Sequence, residues 1–371
     1  MSRTIIEVHA IQTVPPANLN RDDTGSPKSA VFGGQRRARV SSQSWKRAIR
    51  LDFRDTLDAA DLGWRTKQVV DLVAGRVTAA DAALADRARD LTVAAFSDGG
   101  VKVKLQKPGA KIEEAGYLVF LSHNQVENLA AAIVTAAQNG EKLDKKAVKS
   151  LLADRHSIDV ALFGRMIADD SSLNVDAACQ VAHAIGVHPV ETEYDYFTAV
   201  DDEKDRDPEE DAGAAMIGTV EFNSSTLYRY ANLDVNLLRE NLGDDAATAR
   251  AAEAFVCSFI NSMPSGKMNT FANRTLPDAV LVTVRDSQAI NLVGAFEQPI
   301  QESNGRIEKA CEALVKQLDA VAETYGEEPV RTWTLRLGER TKALAETGEQ
   351  VNRDGLLAGV AALVTERLGS A

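Results

Sequence analysis

The sequence predicts an α+β fold, and three regions carry the prediction. Residues 4–13 alternate apolar and polar side chains over most of their length, which is typical of a half-buried strand. Residues 55–183 are rich in alanine and follow helical periodicity. The C-terminal part alternates helical segments with a strand at 279–285. This distribution of strands and helices indicates an α+β architecture.

Composition limits the class of protein. The chain has 371 residues, a formal net charge of −12, 44% hydrophobic residues and 26% charged residues, which is typical of a folded soluble protein. Its length is compatible with one core carrying large insertions and equally with two domains. No stretch approaches the roughly 20 consecutive apolar residues of a membrane span, and residues 1–7 lack the apolar region of a signal peptide. We therefore expect a cytoplasmic protein without a membrane partner.

Residues with catalytic or metal-binding chemistry give weak signals. Cys179, Cys257 and Cys311 are widely spaced and form no Cys-x-x-Cys pair, so neither a disulfide framework nor a thiolate zinc site is expected. The common phosphate-loop, serine-esterase and zinc-protease motifs are missing. His183 and His188 are five residues apart, which is no standard ligand spacing, and we expect structural or surface roles for them. The sequence thus predicts no cofactor and no bound metal.

The N-terminal strand leads into a strongly basic segment. We expect Val14-Pro15-Pro16 to end the strand and residues 17–29 to form a turn-rich loop. The segment 28–54 then contains eight cations and one anion. Loose binding of nucleic acid over the whole surface would be opposed by the negative net charge. The local excess therefore indicates an anionic partner held in a local groove.

The order of elements within the basic segment favours phosphate binding. Gly33-Gly34 predicts a turn, 36–40 a strand, and Ser41 to Ser44 the start of a helix. The apolar face of the helix consists of Trp45, Ala48, Ile49 and Phe53. A cationic stripe lies beside it and consists of Lys46, Arg50 and Arg54. Cations in its first turn oppose the helix dipole at a cost of roughly 0.3 to 1 kcal/mol each, which a bound phosphate would offset. An ordinary basic surface helix is the alternative.

The remaining elements follow in order along the chain. Helical periodicity is found in four segments of the alanine-rich region: Lys67 to Ala74, Thr78 to Phe96, Gln125 to Gln138 and Lys145 to Ala153. A predicted hairpin has apolar arms at 194–200 and 214–222 and an acidic tip with eight acids among the eleven residues 201–211. The C-terminal part predicts helices at 246–261, 307–325 and 354–368 around the strand at 279–285.

Several motifs of this sequence are similar to those of one known family. Leu19-Asn-Arg-Asp-Asp23 is followed by Ala30-Val-Phe-Gly-Gly-Gln-Arg-Arg-Ala-Arg-Val-Ser-Ser-Gln-Ser-Trp-Lys-Arg-Ala-Ile-Arg50. Phe163-Gly-Arg-Met166, Tyr196-Phe-Thr-Ala-Val-Asp-Asp202 and Leu227-Tyr-Arg-Tyr-Ala-Asn-Leu233 follow in the same order as in the family. The chain thus resembles the CasC family, the backbone subunit of the type I-E CRISPR Cascade complex.

The resemblance implies a fold and a non-catalytic role. The implied fold is an RRM-like (ferredoxin-like) palm at 1–58, 182–192 and 227–371, with inserted helical fingers at 59–181 and a protruding thumb β-hairpin at 193–226. The implied partners are CRISPR guide RNA, target DNA through the guide, further copies of the chain stacked head to tail, and other Cascade subunits. In such a complex the chain holds the guide and a separate nuclease cuts the target.

The resemblance and the basic segment together give the expected RNA contacts. The phosphate-compatible residues are Arg21, Lys28, Arg36, Arg37, Arg39, Ser41, Ser42, Gln43, Lys46 and Arg50. The resemblance makes Met166, Tyr196, Phe197 and Val200 contacts or wedges against splayed bases, consistent with apolar side chains that insert between bases. Because the aromatic RNA-binding strand motif is missing, we expect contacts to the RNA backbone more than to the bases.

Two alternatives remain open at the level of sequence. The first is a metal-dependent ribonuclease that uses Asp22 or Asp23, because carboxylate oxygens suit magnesium, although adjacent aspartates in a turn more often form the loop. The second is an acidic scaffold in which the basic helix of one copy docks the acidic hairpin of the next, without any need for RNA.

Overall fold

The computed structural model describes residues 3–105, 112–199 and 216–369. The predicted α+β class is confirmed. The strands are Ile5–Ala17 (β1), Ser29–Phe32 (β2), Gln35–Val40 (β3), Gly63–Thr66 (β4), Val103–Leu105 (β5), Glu113–Ala115 (β6), Val119–Ser122 (β7), Cys179–Val181 (β8), Ala184–Gly186 (β9), Glu193–Ala199 (β10), Met216–Asp234 (β11), Ala279–Arg285 (β12), Arg331–Arg336 (β13) and Glu349–Gln350 (β14). The helices are Ser42–Thr56 (α1), Val69–Ala80 (α2), Ala88–Asp98 (α3), His123–Asn139 (α4), Lys145–Ala153 (α5), Ile158–Phe163 (α6), Val235–Leu242 (α7), Asp245–Asn261 (α8), Met268–Phe271 (α9), Arg306–Tyr325 (α10) and Arg353–Gly369 (α11).

One large sheet organises the molecule. Its strand order is β14-β13-β12-β1-β11-β9-β3-β2, and β8 and β10 also pair with β11. β1 lies in the middle and runs antiparallel to both β11 and β12. Since alternate residues of a strand point to opposite faces, β1 contributes to two hydrophobic cores. Ile6, Val8 and Ala10 pack with α1, α8 and α11 on one face, and Ile11 packs with α10 on the other.

The expected end of the first strand at Val14-Pro15-Pro16 is wrong, because β1 continues to Ala17. Its pairing with β12 stops at Ile11, and its pairing with β11 shifts register between Val14 and Ala17. Proline is tolerated in strands where a bulge or a missing neighbour removes the need for its N–H. Both conditions hold at this end of β1.

A separate hydrophobic core fills the predicted helical region. Its buried members all lie between Val69 and Leu173 and come mainly from α2, α3, α4 and α5. The predicted helix at 78–96 is two helices, because Asp81 caps a short 3₁₀ turn at Ala82–Leu84 between them. The boundaries of palm, fingers and thumb stay a prediction.

The predicted hairpin is formed by β10 and the first seven residues of β11. From Asn223 onward β11 leaves β10 and pairs with β1 in the large sheet. The acidic tip at 201–211 lies outside the described residues. The C-terminal helices and the strand at 279–285 are confirmed. None of the helices in the described ranges is long and apolar enough to cross a membrane.

Candidate nucleic-acid interface

The start of α1 presents unpaired backbone donors. Ser41 is the N-cap residue, but its hydroxyl makes no capping hydrogen bond, and the first turn carries no acidic residue. The Ser41 N–H donates to Asn20 Oδ1 at 2.9 Å, which ties the 17–29 loop to the helix. In an α-helix the next N–H groups have no intrahelical partner. The N–H groups of Ser42 and Gln43 therefore lie at the positive end of the helix dipole.

Cations from the preceding hairpin lie next to this helix start. The Arg39 N–H donates to the carbonyl of Lys28 at 3.0 Å, which places Lys28 beside β3. Arg36 is exposed and donates to Ser29 Oγ at 2.9 Å. Lys46 is half-buried, and its charge acts on Cys179 at the start of β8. We call the surface formed by Lys28, Arg39, Ser42, Gln43 and Lys46 the cationic surface; Arg36 lies at the turn end of the hairpin, on the opposite face of β3 from Arg39.

Arg37 departs from the prediction. Its side chain is 0% exposed, and its guanidinium donates to the carbonyls of Gly186, Phe296 and Glu297 at 3.0, 3.2 and 3.1 Å. Burial lowers the pKa of this guanidinium. Arg37 thus joins β3, β9 and the 296–297 segment, and its buried guanidinium is out of reach of an RNA phosphate at the surface.

Arg50 and Ser41 are also less accessible than the sequence suggests. The Arg50 Nε lies 3.8 Å from the Asp159 carboxylate, and its guanidinium lies 4.5 Å from the centre of the Phe120 ring. Burial lowers the pKa of Arg50, against the opposing charge of Asp159. Ser41 is buried. Of the three cations in the stripe, Arg54 is exposed, whereas Lys46 and Arg50 are half-buried.

Arg21 lies on a different flank of α1 from Lys46. It lines a groove of about 780 Å³ together with Arg47 and Arg274, between the 19–25 loop, α1 and the 262–268 segment. Lys46 is not among the residues that line this groove. Arg21 therefore shares this groove with Arg47 and Arg274, whereas Lys46 does not line it.

Asp22, a candidate metal ligand in the ribonuclease alternative, is engaged within its own loop. Asp22 Oδ1 accepts hydrogen bonds from the Thr24 hydroxyl at 2.7 Å and from the N–H groups of Thr24 and Ser26 at 3.0 Å. These contacts, led by the Thr24 hydroxyl, lower the pKa of Asp22. Within 3–105, 112–199 and 216–369, no group of three or more His, Cys, Asp or Glu residues is placed to hold a metal ion. The geometry of Asp22 is that of a turn-forming residue.

Met166 is held at the surface by its neighbours. It is 74% exposed and stands between the buried residues Arg165 and Ile167. The Arg165 guanidinium donates to the Leu173 carbonyl at 2.9 Å and to Gln125 Oε1 at 3.2 Å, and burial lowers its pKa to about 10. An exposed methionine fixed on a rigid support is suited to packing against a base.

The hairpin presents its aromatic residues on two faces. Tyr196 is 64% exposed and Phe197 36% exposed. Adjacent residues of a strand point to opposite sides, so these two predicted wedges do not share a face. Tyr194, also exposed, lies on the side of Tyr196. Val200 lies outside the described residues.

Gly218 supports the position of Phe197. The two residues are directly paired across β10 and β11, and a Cβ at Gly218 would come within 2.4 Å of the Phe197 ring. We expect Gly218→Ala to move the ring while leaving the free energy of unfolding within about 0.5 kcal/mol, because the ring end of a side chain can shift. RNA affinity should fall as much as in Phe197→Ala, measured by fluorescence anisotropy. Gly116→Ala is the matched control, since nothing lies within 4 Å of a Cβ there; unchanged affinity in Gly218→Ala would contradict the prediction.

Sequence patterns did not reveal two contacts of this region. Asn20 joins the loop to α1 over 21 residues of chain, and Arg39 Nη1 lies 3.1 Å from His183 Nδ1 over 144 residues. Both contacts depend on how distant segments pair in the sheet, and a single sequence carries no local signal for that.

Comparisons with known proteins assign the family. Residues 6–360 match the sequence model of the family described as "CT1975-like protein". A solved chain titled "CRISPR RNA-guided surveillance complex, pre-nicking" is 33% identical, with a TM-score of 0.84 over 96% of this chain and 100% of that chain. Another, titled "CRISPR RNA-guided surveillance complex", is 28% identical, with a TM-score of 0.72 over 96% and 99%. The search of curated proteins returned no match. The chain belongs to the CT1975-like protein family.

Proposed function

We propose that this chain is the guide-binding backbone subunit of a type I-E Cascade-like surveillance complex. Copies would bind side by side along a CRISPR guide RNA and present it for pairing with target DNA, together with other subunits of the complex. The main support is the full-length similarity, at 33% identity, to a chain of a structure titled as an RNA-guided surveillance complex. A cytoplasmic location remains a prediction from the sequence.

The cationic surface supports a role in holding the RNA backbone. The uncapped, positive dipole end of α1 favours phosphate, and Lys28, Arg39 and Lys46 supply charge near it. None of these groups reads a base edge through a fixed donor and acceptor pattern. Contacts of this kind position a strand without sequence preference, as a subunit that binds many different guides requires.

The proposal assigns no catalytic step to the chain. Asp22 is used by its own turn, and the geometry of the described residues gives the ribonuclease alternative no support. The head-to-tail stacking of copies also belongs to the proposal, since heterologous contacts extend into filaments when they do not close.

Templated assembly can be measured by light scattering after size exclusion. We expect the purified chain in magnesium buffer to form particles whose protein mass doubles when the CRISPR RNA is made twice as long, because each copy occupies a fixed length of strand. A monomer with both RNAs would contradict templated binding by this chain. Equal filaments without RNA would favour the protein scaffold, and RNA shortened in magnesium but intact in chelator would favour the ribonuclease.

A further inference from the structure

His183 lies beside the cationic surface, in contact with Arg39. His183 is exposed in the turn between β8 and β9. β9 pairs antiparallel with β3, and Arg39 is the partner of Ile185 in this register. The pairing places the Arg39 Nη1 3.1 Å from His183 Nδ1.

The contact with Arg39 fixes the tautomer of the imidazole. An arginine guanidinium carries five N–H donors and no acceptor, so His183 Nδ1 must accept and therefore carries no proton. In a neutral imidazole the proton is then on Nε2. His183 thus has an N–H donor left for another group.

Within the described residues, the charges around this donor are positive. Burial lowers the pKa of His183, and the charges of Arg39 and Lys28 lower it further; no carboxylate of the described residues is among the groups that act on it. Lys28 and Arg39 are held together by the hydrogen bond from the Arg39 N–H to the Lys28 carbonyl. Two cations and one neutral N–H donor are therefore gathered around a position with no anion in the described chain.

We propose that His183 is a guide-contact residue whose Nε2–H completes, with Lys28 and Arg39, a site for one phosphate group of the RNA. The inference rests on the proposed function, because it takes the phosphate from the guide strand. Val40, which pairs with Ala184 of β9, leads directly into the start of α1. The donors of His183, Lys28 and Arg39 thus lie next to the backbone N–H groups at the start of α1, which the proposed function assigns to the same RNA strand.

Phosphate binding changes the protonation of His183. A bound phosphate offsets the charges of Arg39 and Lys28, so the pKa of His183 is higher in the complex than in the free chain. Between the two pKa values a proton is taken up at Nδ1 on binding, and the Arg39 guanidinium then donates to the phosphate instead of to Nδ1. Affinity therefore rises as the pH falls through the pKa of the complex and becomes constant below the pKa of the free chain.

The test compares RNA affinity across pH in the full chain. We expect the wild type to bind a single-stranded CRISPR RNA about 3- to 10-fold more tightly at the low-pH plateau than at high pH, since one pKa unit corresponds to a factor of ten. His183→Gln should bind the RNA within about threefold of the wild type at high pH, because its amide still donates a hydrogen bond. It should lose the increase in affinity that the wild type shows at low pH. His123→Gln, on a half-buried histidine of α4, should keep it.

A direct readout separates this inference from the proposed function. In histidine-labelled protein, NMR should show the His183 ring as the Nε2–H tautomer and a rise of its pKa on adding RNA. RNA binding with the same pH dependence in His183→Gln would overturn the inference and leave the proposed function standing. No RNA binding by the wild type at any pH would overturn both. An equal rise of the His183 pKa with inorganic phosphate alone would assign the site to free phosphate and overturn the guide contact.

Discussion

Exchanging Lys28 and Lys46 together for glutamate should weaken RNA binding by about a hundredfold at low salt. Each exchange removes an attraction to phosphate and adds a repulsion. The slope of log affinity against log salt should also fall in magnitude by about 1.4, because each lost contact with a single strand contributes about 0.7. Fluorescence anisotropy over a series of salt concentrations measures both quantities.

The choice of residues and of the control follows from the structure. Arg50 is a poor partner for Lys46 in this experiment, because its guanidinium lies near Asp159 and Phe120 and a charge reversal would disturb packing. Lys309→Glu with Lys316→Glu on α10 changes the net charge equally at exposed positions. If that control weakened binding as much as the test variant, net charge and not the cationic surface would explain the result.

Replacing Glu7 by glutamine should lower the free energy of unfolding by about 3 to 5 kcal/mol. Glu7 is 0% exposed near the start of β1 and accepts hydrogen bonds from Arg285 Nε at 2.8 Å and from the Thr283 hydroxyl at 2.7 Å. The Ile290 N–H also donates to it. An amide in this position leaves the buried charge of Arg285 without a counter-ion. Urea unfolding followed by circular dichroism measures the loss.

A matched control and a compensating variant make this result specific. Glu349→Gln removes the partner of Arg331 from an ion pair whose side chains are about half exposed, and should cost less than about 1 kcal/mol. Glu7→Leu with Arg285→Met should be less damaging than Glu7→Leu alone, because both charges are then removed from the core. Equal losses at Glu7 and Glu349 would contradict the role of burial.

The same carboxylate gives stability a defined pH dependence. Burial raises the pKa of Glu7, but the charge of His9, whose Nε2 lies 4.0 Å from the carboxylate, and the donors from Ile290 and Thr283 outweigh it, so that the pKa is lowered from 4.5 to about 2. Because the pKa is lower in the folded state than in the unfolded state, ionised Glu7 stabilises the protein at pH values above the unfolded pKa. This stabilisation is lost as the pH falls toward the folded pKa. The difference in free energy of unfolding between the wild type and Glu7→Gln should therefore shrink by about 3 kcal/mol between pH 4.5 and 2.

The sequence predicted best where a pattern repeats along one element. The buried face of α1 consists of Trp45, Ala48, Ile49 and Phe53, as the helical spacing indicated. β12 has the predicted bounds, because it is a continuous apolar run that pairs on both sides. Periodicity records burial directly, so elements of this kind need no knowledge of the partner.

The sequence failed where the environment comes from distant segments. Arg36 and Arg37 are neighbours in a basic run, yet only Arg37 is buried, because its carbonyl partners lie 149 to 260 residues further along the chain. β13 was missed because it alternates polar and apolar residues over only six positions next to a loop. The resemblance located the surface, and the contacts made in the folded chain decided which of its cations remain available.

The opposite placement of Tyr196 and Phe197 limits how this hairpin can vary in length. An insertion of one residue in β10 between its base and these aromatics would exchange the two sides of every residue beyond it. Tyr196 would then take the place of Phe197 opposite Gly218. At present the ring of Phe197 occupies the space that a side chain at position 218 would need. Two inserted residues would instead extend the hairpin by one pleat and preserve both sides. Hairpins of related chains are therefore expected to differ in length by even numbers of residues per arm.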